Sequence, residues 1–189
     1  MTGIVSVFLI ISTKERLDFK MKQYKVGIIG ATGMVGQRFA VLLENHPWFK
    51  VTTLAASPRS AGKTYKDAVK KWLIEEKPMP ASMENIVVMD ATADIEKIAA
   101  EVDFVFCAVD MKKDEIKALE EAYAKHECPV MSNNSAHRFT DDVPMIIPEI
   151  NDEHMAVVED QKSASAQREA LSPLSPTALS RAMFPHSLL

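Results

Sequence analysis

The sequence has few cysteines, no membrane-length apolar run and no cluster of basic residues. Its two cysteines, Cys107 and Cys128, do not form a metal-ligand pattern. We therefore expect no metal site, and such low cysteine usage favours a reducing compartment, the cytoplasm. No apolar run approaches the ~18 residues of a membrane span, so we expect no membrane partner. A formal net charge of -4 with scattered lysines and arginines argues against a nucleic-acid partner.

The rest of the composition is typical of a globular protein. Apolar residues make up 47% of the chain and charged residues 25%, which is the usual balance of a soluble domain. A length of 189 residues supports one full hydrophobic core.

The N-terminal end differs from the middle of the chain. Residues 3–11 resemble the apolar centre of a signal peptide, but no basic segment precedes them and no small-residue cleavage site follows. Codons for Lys14 and Glu15 can form a bacterial ribosome-binding sequence upstream of Met21. Our hypothesis is that translation starts at Met21 and that residues 1–20 do not belong to the native protein. An export signal is the alternative, and N-terminal sequencing of the native product distinguishes the two.

A glycine-rich turn is the most informative feature of the middle. The apolar strand Val26 to Ile29 runs directly into Gly30, Gly33 and Gly36, and a helix is predicted from about Val35 to Asn45. Glycines let the backbone approach a pyrophosphate, and the start of the helix offers unpaired N–H groups to it. The spacing G-x-x-G-x-x-G fits a subset of dinucleotide-binding folds. The alternative is a tight strand-helix turn that needs small residues.

Apolar strands alternate with helices over the middle of the chain. Strands that lack polar alternation and are separated by helices predict a doubly wound, mostly parallel α/β sheet of the Rossmann type. The predicted strands are residues 25–29, 50–56, 86–89, 103–108 and 129–132, and the predicted helices are residues 35–45, 94–100 and 112–125.

The loop after the second predicted strand indicates which cofactor binds. NAD-selective domains usually carry Asp or Glu near this point to hold the ribose 2′-hydroxyl. Here Ser57, Arg59 and Ser60 follow the strand, and there is no acidic residue. A guanidinium flanked by hydroxyls suits a 2′-phosphate, so the loop favours NADP over NAD. The alternative is an ordinary surface arginine in a Ser-Pro turn.

A second polar cluster runs from Ser132 to Arg138, directly after the last predicted strand. Ligands of open α/β sheets bind at the carboxyl ends of strands. Hydroxyl, amide and guanidinium groups there can hold a nicotinamide ribose and an anionic substrate. The alternative is a turn, because Asn and Ser are common turn residues.

Four motifs in order resemble aspartate-semialdehyde dehydrogenases over about residues 21–161. They are the glycine turn, the loop 57–63, the cluster 132–138 and the segment 142–151. The resemblance implies an oligomeric NADP enzyme that makes aspartate semialdehyde from aspartyl phosphate, for lysine, threonine and methionine synthesis. For the cofactor, it implies that the pyrophosphate is lined by Thr32, Gly33, Met34 and Val35 and that the 2′-phosphate is held by Ser57, Arg59 and Ser60. It also implies that Asn134 lies beside cofactor and substrate and that Arg138 binds the substrate phosphate. N-acetylglutamyl-phosphate reductases share the glycine turn but fit the other loops less well.

The catalytic residues that this resemblance implies are missing from the sequence. The family's nucleophile is a cysteine in an Asn-Cys-Ser loop, and its base is a histidine of a second, catalytic and dimerisation domain. Residues 1–189 contain no Asn-Cys-Ser loop, and we expect the second domain to be missing as well. Cys107 ends a predicted core strand and Cys128 precedes Pro129, so we expect neither to be the nucleophile.

Residues 162–189 are rich in Ser, Ala, Pro and Leu and show no helix or strand period. Codons for residues 174–185 can be chosen so that another frame reads Lys-Pro-Asn-Cys-Ser-Ile-Gln-Ser-Tyr-Val-Pro, which contains the missing loop. Our hypothesis is a frameshift near Lys162, in the organism or in the sequence record, which makes the tail non-native. The nucleotide sequence tests it, because codons incompatible with that reading exclude it.

We therefore expect a domain that binds NADP without catalytic activity of its own. A non-catalytic NADP-binding or partner-binding module is the alternative to a part of a dehydrogenase. Such a module predicts a folded product that binds NADP without turnover.

Overall fold

Five parallel strands form the central sheet of the chain. The structure is a computed structural model that describes residues 23–141 and 143–157. The strands are β1 (Tyr24–Ile29), β2 (Phe49–Ala56), β3 (Met89–Asp90), β4 (Phe104–Cys107) and β5 (Val130–Ser132). Their order across the sheet is β3-β2-β1-β4-β5. This order reverses direction between β1 and β4, as in dinucleotide-binding folds. The predicted doubly wound parallel fold is confirmed.

Helices cover both faces of the sheet. They are α1 (Met34–Leu43), α2 (Tyr65–Ala68), α3 (Ile95–Glu101), α4 (Lys113–Lys125) and α5 (Pro148–Asn151), followed by a 3₁₀ helix (Asp152–Ala156). Alternate residues of β1 face opposite cores. Ile28 packs in a cluster with Ala40 of α1, whereas Ile29 packs in a second cluster with Ile98 of α3 and Tyr123 of α4. Each face of the sheet is therefore buried by its own helices, which is why the strands carry apolar residues on both sides.

The third strand is shorter than the sequence predicts. Only Met89 and Asp90 pair with β2, and the predicted residues 86–88 do not join the sheet. Val87 instead forms an antiparallel bridge with Thr64, and Val88 N donates to Lys63 O at 2.8 Å. The apolar run suggested a strand, but its backbone partners come from the loop after β2. Val87 is accordingly 54% exposed.

Several sequence predictions fall on residues that the structure does not describe. These are the extension 1–20, the start at Met21, the tail 162–189 and the exact end of the domain near residue 161. Within the described residues, none of the helices has the length and apolar character needed to cross a membrane.

Candidate cofactor site

The site lies at the edge of the sheet where all five strands end. Pairing in register places Met89, Ala55, Ile29, Cys107 and Ser132 in one row across the strands. The glycine turn, the loop after β2 and the polar cluster after β5 all leave the sheet just beyond this row. Because ligands of such sheets bind where the strand order reverses, the loops after β1 and β4 mark the expected centre of the site.

The glycine turn is held tightly by its own backbone. Gly30 has a φ of +86°, in the left-handed region that favours glycine. A Cβ at Gly30 would lie 2.7 Å from the Ala108 carbonyl carbon, and one at Gly36 would lie 2.7 Å from Ala31 Cα. Gly30 N donates to Ala55 O at 2.8 Å, which ties the turn to the end of β2. Gly30 and Gly36 are therefore required by the protein's own packing.

Gly33 is different, because none of the described residues crowds it. A Cβ there would meet only Gly30 O, at an ordinary 3.5 Å, and its φ of -77° suits any residue. Gly33 is also the N-cap of α1, where no side chain caps the helix and no acidic residue occupies the first turn. The N–H groups of the first turn have no intrahelical partner, and the helix begins directly after the turn that follows β1. This arrangement fits a phosphate, which needs both the free amides and the space that a side chain at Gly33 would take.

Two buried side chains support the turn from behind. Gln37 is fully buried and donates from Nε2 to Thr32 O at 3.0 Å and to Lys71 O at 3.1 Å. Its Oε1 accepts from Leu73 N at 2.7 Å. The hydroxyl of Tyr65 donates to Ala31 O at 2.8 Å, and burial raises the pKa of Tyr65, so the hydroxyl stays protonated. The turn is thus preorganised by polar contacts as well as by glycine.

We expect Gln37→Leu to lower the free energy of unfolding by about 2 kcal/mol, because Leu73 N and two carbonyls lose their buried partner. Urea denaturation followed by circular dichroism measures the change. Gln23→Leu is the matched control, since Gln23 is exposed and its side-chain contact with the described residues is a 3.5 Å one to Pro47 O. Equal stability of the two variants would show that Gln37 does not hold the turn.

The loop after β2 carries two exposed cations at the same edge. Ser60 N donates to Ser57 O at 2.8 Å, which turns the chain so that Arg59 projects from the loop. Lys63 Nζ donates to the Arg59 backbone O at 2.9 Å and so brings a second positive charge to this loop. Within the described part of the chain, Arg59 forms no salt bridge. Unneutralised cations at the end of β2 suit a 2′-phosphate and do not suit a bare ribose hydroxyl.

The cluster after β5 is anchored in part to the neighbouring helix. Asn134 Nδ2 donates to Glu120 Oε1 of α4 at 3.2 Å and lies 3.5 Å from Cys107 Sγ. The structure therefore brings Asn134 to the end of β4, the strand next to β1. Arg138 is exposed in the following turn, and within the described residues its side chain makes no hydrogen bond. Its predicted substrate role stays a prediction.

Neither cysteine has the surroundings of a nucleophile. Burial, followed by the charge of Glu120, raises the pKa of Cys107 to about 12. Burial raises the pKa of Cys128 to about 12 as well. Since the thiolate is the reactive form, both thiols are inert at neutral pH.

We expect neither thiol of the folded chain to react with iodoacetamide at neutral pH on the timescale that labels free cysteine. Intact mass spectrometry counts the labels, and the same chain in guanidinium chloride should take up two. Rapid labelling of native Cys107 would restore it as a candidate nucleophile.

Sequence reasoning missed four residues that shape this site, namely Gln37, Tyr65, Lys63 and Glu120. Three of them are buried polar residues whose partners lie far along the chain. Lys63 was visible in the loop 57–63, and its nearness to Arg59 in sequence was the only signal available for it.

A comparison with family models gives one match over most of the described residues. Residues 25–158 match the model described as semialdehyde dehydrogenase, NAD binding domain. The curated aspartate-semialdehyde dehydrogenase of Archaeoglobus fulgidus is 41% identical over 145 residues, covering 74% of this chain and 38% of the relative. The Candida albicans relative of the same name is 37% identical over 153 residues, covering 81% and 40%. The chain thus spans about two fifths of the length of these relatives.

Solved structures agree with this match. A crystal structure of aspartate semialdehyde dehydrogenase with NADP from Candida albicans superposes with a TM-score of 0.67 at 36% identity, covering 78% of this chain and 40% of that one. Aspartate semialdehyde dehydrogenase II of Vibrio cholerae, complexed with ASA, gives a TM-score of 0.53 at 25% identity, covering 74% and 40%.

Proposed function

Because this chain belongs to the semialdehyde dehydrogenase family, we propose that it forms the NADP-binding part of an aspartate-semialdehyde dehydrogenase. Two features at one edge of the sheet carry the proposal. Gly33 begins a helix and is not crowded by the described residues, and Arg59 after β2 forms no salt bridge with any of them. The first feature suits a pyrophosphate and the second suits a 2′-phosphate.

Each part of the site has a distinct task in this proposal. The first-turn amides of α1 bind the pyrophosphate, and Gly33 leaves the space for it. Arg59 and Lys63 bind the 2′-phosphate with Ser57 and Ser60 beside them, and Asn134 lies at the nicotinamide end. When bound, the nicotinamide supplies or accepts a hydride. The residues described here orient it and do not themselves form a covalent bond with substrate.

The reaction of the whole enzyme is part of the same proposal. It is the reductive dephosphorylation of aspartyl phosphate to aspartate semialdehyde, with phosphate as the other product and Arg138 as a substrate-binding residue. The whole enzyme works as a homo-oligomer in the synthesis of lysine, threonine and methionine. Because both described thiols are buried and largely protonated, we expect this chain to bind cofactor without forming NADPH from aspartate semialdehyde and phosphate.

Isothermal titration of the full chain with NADP⁺ and with NAD⁺ tests the proposal. We expect NADP⁺ to bind about tenfold or more tightly than NAD⁺, because the 2′-phosphate gains charge-assisted hydrogen bonds. The preference should shrink as salt is raised, since the cations are exposed. Equal binding of the two dinucleotides would refute the NADP assignment, and binding of neither would refute the proposed function.

A further inference from the structure

A buried acidic residue organises the polar cluster after β5. The Glu120 side chain is only 7% exposed. A carboxyl group is costly to bury unless it is hydrogen-bonded. Ser132 Oγ donates to Glu120 Oε1, Asn134 Nδ2 donates to the same oxygen at 3.2 Å, and His137 Nε2 lies 4.0 Å from Oε2. All three partners belong to the cluster 132–138, so Glu120 is the point to which this segment is fixed.

These contacts hold Asn134 at two points. Its backbone N donates to Ser132 Oγ at 3.0 Å, and Ser132 in turn donates to Glu120. Its side-chain nitrogen donates to Glu120 directly. Because the amide turns its nitrogen toward the Glu120 carboxyl oxygen, Oδ1 is directed away from that oxygen.

The amide oxygen of Asn134 is available to a ligand. Within the described residues Oδ1 accepts no hydrogen bond, and it is not among the buried side-chain atoms that lack a partner, so solvent reaches it. The same side chain lies 3.5 Å from Cys107 Sγ, at the end of the strand next to β1. The oxygen is therefore a preoriented acceptor at the edge where the glycine turn begins.

We propose that Glu120 is a positioning residue that orients Asn134 so that Oδ1 accepts a hydrogen bond from the nicotinamide half of NADP. The donor is a ribose hydroxyl or the carboxamide NH₂ of that half. This inference rests on the proposed function, because it requires NADP to occupy the edge of the sheet. It adds a residue of α4 that need not touch the cofactor.

Two probes separate this role from a general effect on the fold. NADPH carries the nicotinamide half, whereas adenosine 2′,5′-bisphosphate carries only the adenosine and the 2′-phosphate. We expect Glu120→Leu to raise the Kd for NADPH about fivefold and to leave the Kd for the bisphosphate within about twofold, since one hydrogen bond is misdirected. Glu120→Gln keeps an acceptor oxygen toward Ser132 and Asn134, so it should stay within about twofold of wild type for both probes.

Controls make the result specific to Asn134. Glu121→Leu makes the same change one position along α4 and should alter neither Kd. Asn134→Ala should reproduce the selective loss, and adding Glu120→Leu to it should cause no further loss if Glu120 acts through Asn134. If Glu120→Leu does not fold, Ser132→Ala provides the same test, because it removes one of the two links.

The outcomes are distinct. A loss of affinity that is equal for NADPH and the bisphosphate, or that adds to the effect of Asn134→Ala, overturns the positioning role. A wild-type chain that binds neither probe overturns both the proposed function and this inference. A selective and non-additive loss, rescued by Glu120→Gln, supports the positioning role.

Discussion

Replacing Gly36 with alanine is expected to destabilise the fold by about 3 kcal/mol, whereas Gly33→Ser should leave stability nearly unchanged. The new Cβ at Gly36 would lie 2.7 Å from Ala31 Cα and 2.9 Å from Ala31 C. These are backbone atoms that cannot rotate away. At Gly33 the new Cβ would meet, among the described residues, only Gly30 O at 3.5 Å, and serine is a good N-cap residue.

For cofactor affinity we expect Gly33→Ser to be the damaging substitution, although it leaves stability nearly unchanged. The serine at position 33 occupies the space in front of the helix, and its hydroxyl competes for the first-turn amides that a phosphate would use. We expect Gly33→Ser to weaken NADP⁺ binding by about tenfold or more, as measured by calorimetry. Urea denaturation of Gly36→Ala and Gly33→Ser measures the free energy of unfolding of each variant. A Gly33→Ser chain that binds NADP⁺ like wild type would exclude a phosphate from this turn.

Removing the Arg59 guanidinium should abolish most of the preference for NADP over NAD. Arg59→Ala is expected to weaken NADP⁺ binding about thirtyfold and to leave NAD⁺ binding within about twofold, because only the charged hydrogen bonds to the 2′-phosphate are lost. Lys63, bonded to Arg59 O at 2.9 Å, should retain a small residual preference.

Arg38→Ala is the matched control for this experiment. Arg38 is an exposed arginine of α1 that pairs with Glu76 at 3.1 Å. Its loss changes net charge equally but removes no proposed ligand, so both affinities should hold. If Arg38→Ala lowers NADP⁺ affinity as much as Arg59→Ala does, the effect is general electrostatics and no specific 2′-phosphate site exists at Arg59.

The sequence alone predicted the elements whose signals are local. β1 and the glycine turn were predictable because an apolar strand, three spaced glycines and an amphipathic helix follow one another within about twenty residues. The helix α4 was equally clear, and it begins one residue later than predicted, with Lys112 as its N-cap. The parallel direction of the strands was predictable because apolar strands alternate with helices along the chain.

The rest depended on contacts between distant parts of the chain. β3 was predicted too long because residues 86–88 pair with the loop after β2, which no local pattern reveals. Gln37 and Glu120 look like ordinary helix residues in the sequence. Gln37 reaches partners 34 and 36 positions away, and Glu120 reaches Ser132 and Asn134 at 12 and 14 positions. Buried polar contacts of this kind are set by the tertiary fold.

The most direct test of the account is to map where NADP⁺ binds. Amide ¹H–¹⁵N spectra of the full chain with and without NADP⁺ report on every described segment. We predict shifts at Gly33 to Gly36, at Arg59 and Ser60, and at Asn134, with no shift at Asn45 and His46, which lie at the opposite edge of the sheet. Shifts confined to that opposite edge, or no shifts at saturating NADP⁺, would contradict the claim that this chain is an NADP-binding domain.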